Sequence, residues 1–202
     1  RRDKLIKNKK HSKFSIRTAR EKVFFNKLQL SRLLMAWQIP SLKDQRSIVG
    51  LEILASLLVD GRNSKLGRPL KEEQNLVESL HVDINTGEYG SLMILEACCS
   101  KINLNLVEEK INFILKKIIE LEEFTKEELI KAKRIVKSNY FFNLETASQK
   151  TSFFGNNLLW ERKDPIENLE LNLDYWNNKK NFKEIINYLG KKKYTLLAHG
   201  KK

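Results

Sequence analysis

Histidine and cysteine are scarce: the 202 residues hold three of the first and two of the second. His11, His81 and His199 lie far apart, and the cysteines are neighbours, Cys98 and Cys99. A zinc site needs three or four converging N, S or O ligands and usually shows a close pair such as His-x-x-x-His or Cys-x-x-Cys. Neither pattern occurs. Adjacent cysteines make no disulfide framework either; in a strand they point to opposite faces, so at most one would lie in the core, and both read as small buried hydrophobes. No stretch reaches the about 18 apolar residues of a membrane-spanning helix. There is no Gly-x-Ser-x-Gly elbow for a serine nucleophile. The run Gly61 to Arg68 has the glycines of a phosphate loop, yet it lacks the Gly-Lys-Ser/Thr core and follows a helix where such a loop follows a strand.

The chain is 41% hydrophobic and 31% charged, which fits one soluble domain with a core. Its net charge of +13 raises the question of nucleic acid. The excess sits at the ends. Residues 1–20 carry nine Lys/Arg and one acid, residues 191–202 carry five Lys and no acid, and the body 21–190 holds 24 of each sign. A basic groove built into the fold would need its excess in the body, so no nucleic-acid partner is expected. The start, Arg1-Arg2-Asp3, reads as the start of a fragment or of a mature chain. A bias toward Lys, Asn and Ile suits a bacterial coding sequence rich in A and T. The expected compartment is an aqueous one, cytoplasm or periplasm, and nothing in the sequence chooses between them.

Residues 1–22 form a basic arm or interdomain linker, and 23–202 the domain proper. Phe24 to Trp37 is apolar and imperfectly alternating, and predicts one long strand ended by Pro40. Ser41 to Asp44 has the form of a capping box. The helix it opens carries Ile48, Leu51, Leu54, Ala55 and Leu58 as one buried stripe and stops at Asp60-Gly61. A short irregular helical piece runs through Leu66 and Leu70 to Glu73. Leu76–Ile84 and Ser91–Cys99 predict two strands joined by the turn chemistry of Asn85 to Gly90. Asn105 caps a helix with Val107, Ile111, Ile114, Leu115 and Ile118 inside. Thr125 and Glu128 form a capping box for another, with Leu129, Ile130, Ile135 and Val136 inside. Leu144–Leu159 is a further helix burying Phe153, Phe154 and Leu158. Asp164-Pro165-Ile166-Glu167 opens a short one. Phe182–Leu189 is helical, and Tyr194–Ala198 is the final strand. The fold class is α+β: a two-layer domain with helices packed on one face of a mostly antiparallel sheet, whose other face is partly apolar or meets another domain.

Few residues invite chemistry. The acid pairs Glu72-Glu73, Glu108-Glu109, Glu122-Glu123 and Glu127-Glu128 lie in or beside helices and read as solvated faces. Phe141, Phe142, Phe153, Phe154 and Trp160 fall at packing spacing, which leaves Tyr140, near Arg134 and Lys137, as the exposed aromatic.

The segment LLMAWQIP, Leu33 to Pro40, resembles the first strand of the C-terminal domain of M16 zinc peptidases, the pitrilysin, insulinase and processing-peptidase family. DQRSIVGLEILASLLVDGRNSKLGRPLKEEQNLVESL, which follows, is similar to the family's long helix, its Gly-Arg-x-Ser-x-Leu stretch and its short helix. Asn85-Thr86-Gly87 looks like its turn, FTKEELIKAKRIVKSNYFFNLET like its Thr-x-Glu-Glu-Leu helix, and Tyr194 to Ala198 like its last strand. Together these cover residues 24–199 in the family's order. The resemblance implies an M16 peptidase-like, metallohydrolase-like fold and a non-catalytic, substrate-chamber-forming domain of a zinc-dependent endopeptidase or oligopeptidase. The alternative it leaves is a domain of an inactive homologue that scaffolds a catalytic partner subunit. Family members bind zinc through His-x-x-Glu-His in the N-terminal domain. No such run is present, so no cofactor is expected here and zinc is expected in that domain of the parent or in a partner subunit. The implied partners are the N-terminal catalytic-type domain, a second M16 subunit in a homodimer or heterodimer, and a peptide substrate. Some members hold the substrate backbone with a tyrosine and a basic residue from the non-catalytic half; Tyr89 and His81 are the candidates for these roles.

Overall fold

Strict alternation builds the centre of the sheet. In β2 (Ser31–Ile39) the side chains of Leu33, Met35, Trp37 and Ile39 are buried on one face. In β4 (Ser91–Cys99) Met93, Leu95, Ala97 and Cys99 do the same. The computed structural model describes residues 14–122, 124–159 and 166–200. His11, Trp160, Asp164, Pro165 and residues 1–13 of the expected arm lie outside them. Five strands run in the order β1-β5-β2-β4-β3, where β1 is Ala19–Phe25, β3 Ser79–Asn85 and β5 Lys193–Gly200. Every neighbouring pair is antiparallel except β1 with β5.

All the helices that reach the core lie on one face. They are α1 (Gln45–Val59), α2 (Leu104–Leu121), α3 (Lys126–Phe142), α5 (Glu167–Tyr175) and α6 (Lys179–Ile186). A π-helical turn, Arg68–Glu73, joins α1 to β3 and is closed by Asn75 at φ 46°. Two indoles lock the layers: Trp37 Nε1 donates to Leu189 O at 3.1 Å, and Trp176 Nε1 donates to Arg46 O at 2.9 Å. Burying rings of that size while satisfying their one donor removes the usual penalty of a buried N–H.

The structure departs from the sequence reading in several places. Phe24 to Trp37 is two strands, because Asn26 and Lys27 turn the chain; β1 therefore reaches four residues into the expected arm. The first helix is capped by Asp44, whose carboxylate accepts from Ser47 N; Leu42 instead turns inward and donates its N–H to Gly87 O. Burial on α1 goes nearly all round, including Val49, Gly50, Ile53 and Leu57, since α3, α5, α6 and β3 surround it. The strand expected from Leu76 starts at Ser79, and α2 starts before Asn105. Ile130 is exposed. The last long helix, α4 (Ala147–Leu159), buries only Asn157 and leaves Phe154 and Leu158 in solvent. Thr125 and Glu128 form the predicted capping box on α3. Cys98 and Cys99 take opposite faces and both are buried; Cys98 Sγ lies 3.7 Å from Glu96 Oε1.

Candidate functional site

Because β3 ends the sheet, one of its edges has no partner strand among the described residues. Beside that edge is a groove of about 710 Å³, floored by α1 and walled by α3 and α4. Gln45 lines one end and Asp60 the other, so the groove follows α1 for its length, about 22 Å at 1.5 Å per residue. Val82 and Ile84 of β3 border it on the sheet side.

Carboxamides supply much of the lining. Asn139 comes from α3 and Asn143 caps its C-terminal end, Asn156 and Asn157 come from α4, Asn172 from α5 and Gln45 from α1. Asn157 Nδ2 donates to Phe153 O at 2.7 Å, which closes one side of that amide; its Oδ1 is buried with no hydrogen-bond partner. Ser56 Oγ on α1 is in the same state. Two carboxylates, Glu52 and Asp60, also line the groove, and no lysine or arginine among the described residues does; Asp83, in register with Ile94, turns its side chain to the helix-free face. Tyr140 packs edge-on against Phe153 with ring centres 6.1 Å apart. It is thus a half-buried wall residue, and of its aromatic neighbours on α3 and α4 the exposed ones are Phe141, Phe142 and Phe154. None of the carboxamides belongs to a recognisable motif; the available signal was the i, i+4 pair of asparagines at the end of a helix otherwise rich in lysine and glutamate.

His81 and Tyr89 do not meet. His81 is exposed on β3, in register with Glu96 and pointing to the helix-free face, four residues before the strand ends. Tyr89 lies in the β3–β4 turn, 56% exposed, and Glu88 and loss of solvent raise its phenol above the ordinary value, loss of solvent first. Neither lines the groove. His199 sits at the end of β5, stacked on Phe24 at 5.1 Å, with both ring nitrogens buried and unpartnered. Among the described residues no group of three His, Cys, Asp or Glu side chains could hold a metal ion. These donors do not fit a zinc site. Cys99 is pushed up to about 11, by burial first and Cys98 second, so it remains a thiol.

The acid pairs are less uniform than their sequence positions suggest. Glu108 is buried under a two-pronged pair with Arg20 of β1, at 2.9 Å from Nε to Oε1 and 2.8 Å from Nη2 to Oε2. On the helix-free face, Leu34, Ala36, Ile94 and Leu196 are half-buried side by side, edged by the Arg32–Glu96 pair. The chain before β1 crosses one end of this face, where Gln38 Nε2 donates to Phe14 O at 2.8 Å and Ile16 N donates to Gln38 Oε1 at 3.4 Å.

Residues 3–136 match the family model described as the Peptidase M16 inactive domain. The chain belongs to this M16 family. Solved structures with the same fold include a protease from Helicobacter pylori, 21% identical with a TM-score of 0.77 over 88% of this chain and 43% of that one. The peptidase M16 inactive domain from Pseudomonas fluorescens is 15% identical with a TM-score of 0.68, covering 92% of this chain and 44% of that one. The periplasmic protease PqqL from Escherichia coli is 14% identical with a TM-score of 0.70, over 93% and 21%. This M16 chain therefore spans less than half the length of these structures. No curated protein matches it. The mostly antiparallel sheet with helices on one face is the M16-like arrangement, and among the described residues no helix is long and apolar enough to cross a membrane.

Proposed function

We propose that this M16 inactive domain is the non-catalytic half of a zinc-dependent endopeptidase or oligopeptidase, closing a chamber in which a peptide is held against a catalytic half that carries the zinc. The family match is the observation that carries this reading. The helix-free sheet face supports it: Leu34, Ala36, Ile94 and Leu196 are only half covered, and an apolar sheet face normally packs on a second layer. The proposed occupant of that face is the catalytic-type half, in the same polypeptide or in a second M16 subunit. His81, also on that face, and Tyr89 at its rim are proposed to touch substrate.

Two measurements test the reading. The 202-residue chain should hydrolyse no peptide with or without added zinc, and chelator-sensitive turnover by it would sink the assignment. The full-length gene product, alone and mixed with any co-encoded homologue, should bind zinc and cleave peptides in a chelator-sensitive way. If it holds no zinc but stimulates the homologue, the domain belongs to a scaffolding subunit.

A further inference from the structure

We infer that one end of the sheet is a docking tip for an anionic phospholipid surface. The β1–β2 connection and the turn after β4 carry apolar side chains into the bilayer interface, and the lysines beside them hold the headgroups. The inference is separate from the peptide-chamber reading, which concerns a face of the sheet and not its end. A contact of this kind needs no helix that crosses the membrane.

Strand register collects the residues. β1 ends with Phe24 and Phe25 beside His199 and Gly200 of β5, and β2 begins with Ser31 beside Cys99, the last residue of β4. Two connections therefore cap the same end. Residues 26–30 pass from β1 to β2 directly over the end of β5, where a Cβ on Gly200 would lie 2.1 Å from Leu28 O. The other connection leads from β4 into α2 through a turn in which Asn103 N donates to Ser100 O. The segment before β1 meets the opposite end of the sheet, where Gln38 Nε2 donates to Phe14 O and Phe14 crowds Gly90, so it leaves the tip uncovered.

The tip is apolar where it protrudes. Ile102 is 92% exposed and Phe24 64%, and Phe25, Leu30 and Leu106 are exposed with them. One exposed apolar side chain is ordinary, whereas several on adjoining turns mark a contact surface. None of them lines the groove beside α1; they stand out from turns. A protein partner must offer a fitted pocket for each protruding side chain, whereas a fluid interface closes around them without one.

Charge then selects the surface. No Asp or Glu occurs between Lys22 and Lys43 or between Ala97 and Val107. The acids that border these runs are already neutralised, Glu21 by Arg17, Glu96 by Arg32 and Glu108 by Arg20. Lys22, Lys27 and Lys101 have no carboxylate partner among the described residues. After burial, Lys101 and Lys22 are the charges that hold down the imidazole of His199, so both ammonium groups lie near one ring at the tip. From Gly200 the sequence continues as Lys201-Lys202. The remaining acids stand aside: Glu78 precedes β3 at the far edge of the sheet, and Glu109 lies farther along α2, next to Lys110. Lysine stems lie along apolar matter while their ammonium groups stay at the phosphates. Lysines alternating with exposed apolar side chains are thus matched to an anionic interface, by burial and charge together.

The test mixes the 202-residue chain with sucrose-loaded vesicles and measures the sedimented fraction at moderate salt. Vesicles of two parts phosphatidylcholine to one part phosphatidylglycerol should bind it, and vesicles of phosphatidylcholine alone at least tenfold more weakly. Ile102→Ser with Phe25→Ser should weaken binding at least tenfold. Lys22→Gln, Lys27→Gln and Lys101→Gln together should remove most of the preference for the anionic lipid. Leu158→Ser with Leu171→Ser, which alters apolar side chains exposed on α4 and α5, should change nothing. Circular dichroism checks that each variant folds.

Residues 1–20 are themselves basic, so a probe locates the contact. An environment-sensitive fluorophore on Ile102→Cys should shift to the blue with anionic vesicles and be quenched by a nitroxide lipid, and one on Leu158→Cys should do neither; Cys98 and Cys99 are buried. Absence of binding to anionic vesicles overturns the proposal. Binding that Ile102→Ser with Phe25→Ser leaves unchanged, with a silent probe at position 102, belongs to the basic arm and overturns it as well. Equal weakening by Leu158→Ser with Leu171→Ser does the same. Self-association without vesicles that Ile102→Ser with Phe25→Ser abolishes would make the tip a protein-docking surface, against the proposal. Binding by the 202-residue chain that the full-length gene product lacks would mean that another part of the protein covers the tip, and also overturns it.

Discussion

Gly50 sits in the core where a single added atom finds no room. A Cβ there would lie 2.7 Å from Ile185 Cγ1 and 2.8 Å from Trp176 Cε2. Trp176 is pinned by its bond to Arg46 O, so the contact cannot be relieved by swinging the ring away. Gly50→Ala should destabilise the fold by about 1–3 kcal/mol, read as a fall in the urea midpoint at unchanged slope. His199 acts through protons instead of volume. Burial first, then Lys101 and Lys22, holds its imidazole below the ordinary value of 6.5. The unfolded chain therefore binds more protons than the folded one in the window just below pH 6.5, and stability falls as pH drops through that window. Above pH 6.5 the contribution is complete. Urea unfolding between pH 5 and 8 should show this slope, and His199→Leu should flatten it; an equal slope in the variant would mean that other groups cause it.

Elements differed in how openly the sequence declared them. β4 was legible to the residue, because Met93, Leu95 and Ala97 alternate cleanly between Gly90 and Ser100. The Thr125 cap was legible because both halves of its reciprocal bond are in the sequence, and Glu128 Oε2 does accept from Thr125 N at 2.7 Å. β1 was not legible. Its Arg20 and Lys22 look like part of a solvated arm, yet Arg20 reaches back over the sheet edge to the buried Glu108 of α2. Only the fold brings those two residues, 88 positions apart, together. Arg20→Ala would leave Glu108 buried without its two donors, at a cost of about 1–2 kcal/mol given that the arginine is half exposed. Hydrogen exchange of the β1 amides should quicken more than that of β2 and β4. Equal quickening across the sheet would show that the pair supports the whole core and does not anchor the edge.

At the scale of the molecule, charge and site differ in how far the sequence reaches. The ends carry the basic excess and the body is balanced, so the sequence reading expects no basic cleft. The groove was invisible to it, since α1 gives seven ordinary residues, β3, α3 and α4 three each and α5 one, and no spacing links the elements. A fold whose site is assembled from five elements leaves no local motif to find. The family resemblance was legible because it rests on order and spacing along the chain, which survive where individual positions change.

The sheet order has one more result, and it concerns synthesis. β5 lies between β1 and β2, so β1, made first, pairs only with residues about 175 positions later, Ala19 with Tyr194 onward. While the chain is still on the ribosome, the β2–β4–β3 hairpins and α1 can form, but the strand that joins both halves of the sheet has not been made. Until then β1 and the open edge of β2 are unpaired strands exposed to other chains, the state from which nascent proteins aggregate or recruit chaperones.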